Sequence, residues 1–284
     1  MNLKEYFKKN KTTIVDLIDK AGNVKALPRP YLGMSQLGEE CWRKLWYSFR
    51  WCEYSTYDGR VQRIFDVGHK AEVDMVKDLE KIGVKTWDTL DNQKSFIAVS
   101  GHCKGHGDGV GSNIPGAEKT NHLLEFKTSS SKHFKEMEKK GVKESKPVHY
   151  AQMVLYMKFS KLTRALYMMY NKDTSAYYIE RIKSNNNFAD ELIKKAEDII
   201  TCEDVNVFQK IGSGNPSFYK CKFCDYSDIC HNDSSPVKTC RTCVSGNLLD
   251  GGIWGCGIQK DKHLNLLKQK EACSNYQKLE CFNV

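Results

Sequence analysis

No stretch of the 284-residue chain approaches the roughly 20 consecutive apolar side chains that a membrane helix needs, so no membrane role is expected. The Lys-rich segment Met1 to Thr12 has no apolar core behind it of the kind that marks an export signal, and the expectation is a reducing, cytoplasmic location. No G-x-x-x-x-G-K-[S/T] loop occurs, which excludes an ATP-driven motor of that type. The glycines of "GHGDGVGS" lack the G-x-x-G continuation into a helix that a dinucleotide loop requires. Whole-unit repeats and low-complexity tracts are also missing, so the chain is neither a solenoid nor a disordered linker.

The length suits one substantial core with a small appended module. With 44 Lys+Arg against 35 Asp+Glu, the net charge of +9 favours a polyanionic partner, although such a balance is common in proteins that bind nothing acidic. Twelve cysteines are many for a reducing compartment, where clustered thiols serve as metal ligands rather than disulfides.

Along the chain, a short amphipathic helix is expected from Thr13 to Asp19, then a loop through Pro28 and Pro30 that closes an N-terminal arm, 1–30. "YLGMSQLGEECWRKLWYSFRW" interleaves aromatics and cations from Tyr31 to Trp51, which suits either a packed helix or a nucleic-acid contact. Ile64, Val67, Ala71, Met75, Leu79 and Ile82 step by three and four along one helical face, with His69, Glu72 and Val76 on its flank. A strand begins at Ser95 and runs into glycines, and a second runs from about Asn121 through "HLLEFKTSS". A charged helix near Phe134 to Lys140, a buried helix in "VHYAQMVLYMKF", strands "TRALYMMYN" and "SAYYIERI", and a helix from Phe188 to about Thr201 follow. This order gives a mixed α/β layer fold, and beyond Gly212 a Cys-rich tail organised by metal.

Asp108 follows a strand and a glycine cluster, while Glu125 and Lys127 sit two apart on the next strand and share one face. An isolated E-x-K is usually an exposed ion pair, and an Asp among glycines is usually a turn residue. Here the apolar setting "HLLEFKT" would half-bury both charges and demand a partner or a metal. Acids from two neighbouring strands beside a lysine suit phosphodiester hydrolysis: Mg²⁺ or Mn²⁺ on the carboxylates polarises the phosphate and acidifies water, and the lysine orients that water or offsets phosphate charge.

"GHGDG" followed after a turn by "LLEFKT" resembles the RecB-type branch of the PD-(D/E)XK nucleases, with Gly-Asp in place of Pro-Asp. "HYAQMVLYM" is similar to the Q-x-x-x-Y element of RecB-like, AddB-like and CRISPR-associated exonucleases, and "DVGHKAE" to their helix with a metal-binding His. The resemblance spans roughly Tyr31 to Cys230 and implies a restriction-endonuclease-like mixed sheet flanked by helices, with a nuclease core over 31–200. It further implies His69, Asp108 and Glu125 as side-chain ligands of the catalytic ion, the carbonyl of Phe126 as another, Lys127 as catalytic, and Gln152 and Tyr156 near the DNA; Glu72 competes as the helix acid. "KPVHYAQMVLYM" and "RALYMMYNKDT" resemble exonucleases of tailed bacteriophages. DNA ends or single strands are then the expected substrate, phage recombination or replication proteins the expected partners, and the cytoplasm of an infected bacterium the expected location. The same core also serves structure- or site-specific endonucleases, and a non-catalytic DNA-binding adaptor is the reading outside enzymes.

Cys221, Cys224 and Cys230 have Cys-x2-Cys-x5-Cys spacing, which leaves a fourth position for a remote cysteine, and spacing alone leaves zinc and iron both open. The resemblance assigns Cys41 to that position and a 4Fe-4S cluster to the 201–235 segment, stapled to the N-terminal region so that Trp42 to Arg50 lies against the DNA path. Cys240 and Cys243, with Cys256 and Cys273 as the completing pair, form two zinc-ribbon-like halves, so a structural zinc is expected in the tail 236–284. His231 and His263 are alternative ligands; Cys52, Cys103, Cys202 and Cys281 receive no role beyond small buried hydrophobes or free thiols.

Overall fold

A computed structural model describes residues 12–25, 28–259 and 263–283; Met1 to Lys11 of the Lys-rich stretch lies outside them. The strands in chain order are β1 (Val24–Lys25), β2 (Leu32–Gly33), β3 (Thr56–Tyr57), β4 (Lys85–Trp87), β5 (Ser95–Ala98), β6 (Cys103–His106), β7 (Gly109–Ser112), β8 (His122–Ser129), β9 (Arg164–Asn171), β10 (Tyr177–Lys183), β11 (Gly246–Leu249) and β12 (Ile253–Cys256). The central sheet has five strands in the order β10-β9-β8-β7-β4. Only β8 and β9 pair in parallel; the other neighbours are antiparallel. A parallel pair needs a crossover, supplied here by helices Ser131–Ser145 and Pro147–Ser160. The expected mixed α/β arrangement of sheets flanked by helices is therefore what the chain forms.

β8 is buried along most of its length, charged residues included, because both of its faces are covered. Leu124 and Phe126 pack with Leu166 and Met168 against Ala71, Met75, Val76 and Leu79 of the helix Gly59–Lys81. Leu123, on the opposite face with Ala165, Tyr167 and Met169, packs on the Pro147–Ser160 and Asn186–Thr201 helices. Alternation along β8 therefore puts Glu125 and Lys127 on the face of the Pro147–Ser160 helix, whose residues Ala151 to Met157 are all buried.

Three expectations shift. The Gly59–Lys81 helix buries only its C-terminal half: Ile64 and Val67 are each 41% exposed and Ile82 62%, while Val76, expected on the flank, is buried. Its first turns meet helix Ile14–Ala21 instead, so closely that a Cβ on Gly22 would stand 2.7 Å from Gly59 Cα. The strand expected from Ser95 is three short strands, broken where Val99 and Ser100 take φ of +48° and again at Gly107–Asp108, and β5 and β6 join β2 in a separate sheet. The Trp42 to Arg50 segment packs rather than facing a DNA path: Trp46, Tyr47 and Phe49 are buried, as are Arg43 and Arg50. Both arginines direct their Nη donors inward, Arg43 to the Phe208 carbonyl and the Asn206 amide, Arg50 to the carbonyls of Arg241 and Cys202.

The tail packs into the main core, with Trp254 fully buried in the same cluster as Trp46 and Phe49. Among the described residues no helix is long and apolar enough to cross a membrane.

Candidate active site

Asp108 sits in the two-residue link between β6 and β7, and its Oδ2 accepts the Phe126 backbone N–H of β8 at 2.7 Å. That bond fixes the link to the strand carrying the other two charges. The Glu125 side chain is fully buried, and Lys127 Nζ donates to its Oε1 and to the Phe126 carbonyl at 3.1 Å, with Asp108 3.9 Å away. Glu125 Oε2 is buried with no hydrogen-bond partner.

Burial pushes the Glu125 carboxyl up to about 8; Lys127 opposes the shift, while Asp108 and Glu72 add to it. Glu72 is raised by its own partial burial and then by Asp108, with Gln93 Nε2 donating to it at 2.9 Å. Burial would pull Lys127 down, but Glu125 and Asp108 more than reverse this and hold the ammonium above its ordinary value. Three carboxylates thus face one lysine around a buried oxygen that lacks a partner. That surplus of negative charge suits a divalent cation bound by oxygen ligands.

A cavity of about 910 Å³ opens here, lined by His69, Glu72, Asp108, Lys127, Gln152 and Tyr156 among others. Every side chain expected near the reaction from sequence reaches this cavity except Glu125, which lies beneath it, and Phe126, whose carbonyl faces Lys127. Gln152 and Tyr156 are one turn apart on the buried helix. Tyr156 lies against Gly105, where a Cβ would come within 2.6 Å of its ring, and against Phe96 with ring centroids 5.0 Å apart. Burial, then Glu125 and Asp108, hold its hydroxyl protonated well above the usual tyrosine range. His69 is exposed on the cavity wall. As the side chains stand, no three His, Cys, Asp or Glu residues among those described gather closely enough to hold an ion.

Arg29, Lys104, His106 and His149 also line the cavity. His149 was findable: with Gln152 and Tyr156 it makes the i, i+3, i+7 stripe of one helical face. Burial and then Lys127 and Lys146 lower its pKa to about 3, so it is a neutral ring, within 2.9 Å of the Tyr167 hydroxyl. Arg29 and Lys104 carry no sequence signal, because they arrive from the 28–33 loop and from β6, far apart in the chain.

Eight of the twelve cysteines line two cavities, four to each. Cys41, Cys221, Cys224 and Cys230 line a cavity of about 280 Å³, together with Tyr47, Phe223 and Tyr226. Cys240, Cys243, Cys256 and Cys273 border a space of about 20 Å³. Burial raises Cys41, with Cys230 and Cys221 adding to it, and pushes Cys240 up to about 11 with Cys256, Cys243 and Cys273 contributing. Neutral buried thiols of this kind ionise readily only beside a cation. Cys52 and Cys103 are buried in the apolar core.

No protein-family model matches the chain, and no curated protein matches it. Among solved structures, the crystal structure of SSO0001 is similar at 20% identity and a TM-score of 0.42, over 81% of this chain and 96% of that one. LHK-Exo in complex with dAMP is similar at 16% identity and a TM-score of 0.45, over 60% and 86%. The alkaline exonuclease LHK-Exo from Laribacter hongkongensis is similar at 14% identity and a TM-score of 0.43, over 61% and 87%.

Proposed function

We propose that the chain is a metal-dependent deoxyribonuclease of the PD-(D/E)XK type that hydrolyses phosphodiester bonds from DNA ends. The observation that carries this reading is the fully buried Glu125 with a partnerless Oε2, facing Asp108 and Glu72 and sharing one lysine. A structural ion pair would leave no oxygen unsatisfied and would not gather a third carboxylate.

Asp108, Glu125 and the Phe126 carbonyl would hold Mg²⁺ or Mn²⁺, with His69 or Glu72 completing the set from the long helix. When bound, the cation supplies positive charge against the charge that builds on the phosphate. Lys127 works from the protein side: held cationic by two acids, it donates to the attacking water or to a non-bridging phosphate oxygen. Arg29 and Lys104, neither of which is ion-paired among the described residues, set cations on the wall where the phosphodiester backbone would lie. Gln152 and Tyr156 offer neutral donors to the sugar-phosphate, since Tyr156 keeps its proton.

We further read 31–200 as the nuclease core, 201–235 with Cys41 as an iron-sulfur segment, and 236–284 as a zinc-bound tail. What supports this reading is that Cys41, Cys221, Cys224 and Cys230 line one cavity, the remote Cys41 with the triplet, and that Cys240, Cys243, Cys256 and Cys273 line another.

Incubating linear and closed circular duplex DNA separately with Mn²⁺ tests the exonuclease reading. Loss of the linear form with the closed circle intact is expected; cutting of the closed circle would assign an endonuclease instead.

A further inference from the structure

Arg241 stands between two of the tail cysteines, Cys240 and Cys243, yet its side chain is fully buried and has no carboxylate partner among the described residues. It is stacked 3.7 Å from the Trp51 ring centroid, with Trp254 at 4.9 Å. All its bonds are to neutral acceptors: Nε to Gln269 Oε1, Nη1 to the Phe49 carbonyl and Nη2 to the Pro30 carbonyl, each at 2.9 Å. Trp51, beneath the guanidinium, donates its indole N–H to the Arg29 carbonyl at 2.8 Å. Two successive carbonyls of one loop are therefore held by donors from this cage, and the side chains on either side of Pro30, Arg29 and Tyr31, line the cavity of the candidate active site. Next to them the Arg29 side chain crosses Gly33, where a Cβ would stand 2.7 Å from its Nη1.

We propose that Arg241 is a positioning residue through which the Cys-rich tail sets Arg29 and Tyr31 on the wall of the DNA cleft. The inference rests on the nuclease reading, because Arg29 is taken to meet a phosphate. It makes the tail part of the substrate site, because the planar guanidinium spans three acceptors in different parts of the fold. Beyond Pro30 the loop is tied at Leu32, whose N–H donates to the His102 carbonyl at 2.8 Å, so the Arg241 and Trp51 bonds hold the part that carries Arg29 and Pro30.

The test is DNA binding to a short duplex in Ca²⁺ across a salt series, comparing the wild type, Arg241→Met, Arg29→Ala and the double variant. A phosphate contact contributes about one unit to the slope of log K against log salt. Arg241 is buried away from DNA, yet its replacement should lower the slope by about one unit, as Arg29→Ala does, and the double variant should fall no further than either single one. Trp51→Phe keeps an aromatic ring under the guanidinium and removes the donor to Arg29 along with part of the ring, so it should show the same loss even where Arg241→Met folds poorly. An unchanged slope in Arg241→Met and Trp51→Phe, or a double variant that loses about two units, overturns the positioning role while leaving the nuclease reading intact. Failure of the wild type to bind DNA at low salt would overturn both.

Discussion

Replacing Lys127 with Met keeps the volume of the side chain and removes the single cation facing Glu125. The carboxyl is then buried with no opposite charge, a situation that costs about 3–5 kcal/mol when one partner of a buried pair is lost. In a chain of this size each kcal/mol moves the melting temperature by about 2–4 °C, so a fall of about 6–20 °C is expected under conditions where Glu125 is ionised. Burial already raises the carboxyl from its ordinary 4.5 to about 8 with the lysine present. A carboxyl raised in the fold stabilises it below the unfolded value and loses that contribution as pH rises toward the folded one. Lys127→Met should therefore melt near the wild type at about pH 5, where Glu125 is protonated, and fall below it at about pH 9.5, the deficit growing as pH rises past about 8. The assay is thermal melting in chelator at both values, repeated with Mn²⁺, which should restore most of the alkaline loss by taking the place of the ammonium. An equal deficit at both pH values, or none at either, would show that Glu125 and Lys127 are not a buried charge pair.

His149, lowered to about 3 by burial and then by Lys127 and Lys146, stabilises the fold above its ordinary 6.5 and withdraws that support as pH falls toward 3. His149→Asn should flatten the acid limb of the melting-temperature profile, and an unchanged limb would contradict the assignment. Gly105→Ala places a Cβ within 2.6 Å of the Tyr156 ring. It should cost about 1–3 kcal/mol and slow DNA degradation by displacing that ring, whereas wild-type rates and melting would remove Tyr156 from the site. Metal analysis of anaerobically purified protein should find iron that is lost in Cys221→Ser and zinc that is lost in Cys256→Ser; colourless protein containing zinc alone would rule out the cluster.

Much of the site is legible in the sequence because its chemistry rides on local periodicities. The two-residue step from Glu125 to Lys127 fixes their common face on β8, and the four-residue step from Gln152 to Tyr156 fixes theirs on the buried helix. The fold follows as far as those periods run. It stops being readable where long-range packing decides: Ile64 and Val67 continue the spacing of a buried face, but the helix outruns the sheet there and leaves them exposed. At Val99 and Ser100 the left-handed turn begins on two residues that are not glycine, ahead of Gly101, the residue of the three that would signal it. Arg241 is the plainest case, since its acceptors are the carbonyls of Pro30 and Phe49, and a carbonyl is the same at every position of every sequence.

The central claim is that Asp108, Glu125 and Lys127 form one metal-dependent hydrolytic site, and Asp108→Asn tests it most directly. Asparagine keeps an oxygen for the Phe126 N–H and removes only the charge. Degradation of an end-labelled linear duplex in Mn²⁺ should fall by at least about 100-fold, the upper range for losing even a residue that only orients a metal ligand. Binding of the same duplex in Ca²⁺ should persist. Wild-type degradation by Asp108→Asn would contradict the account.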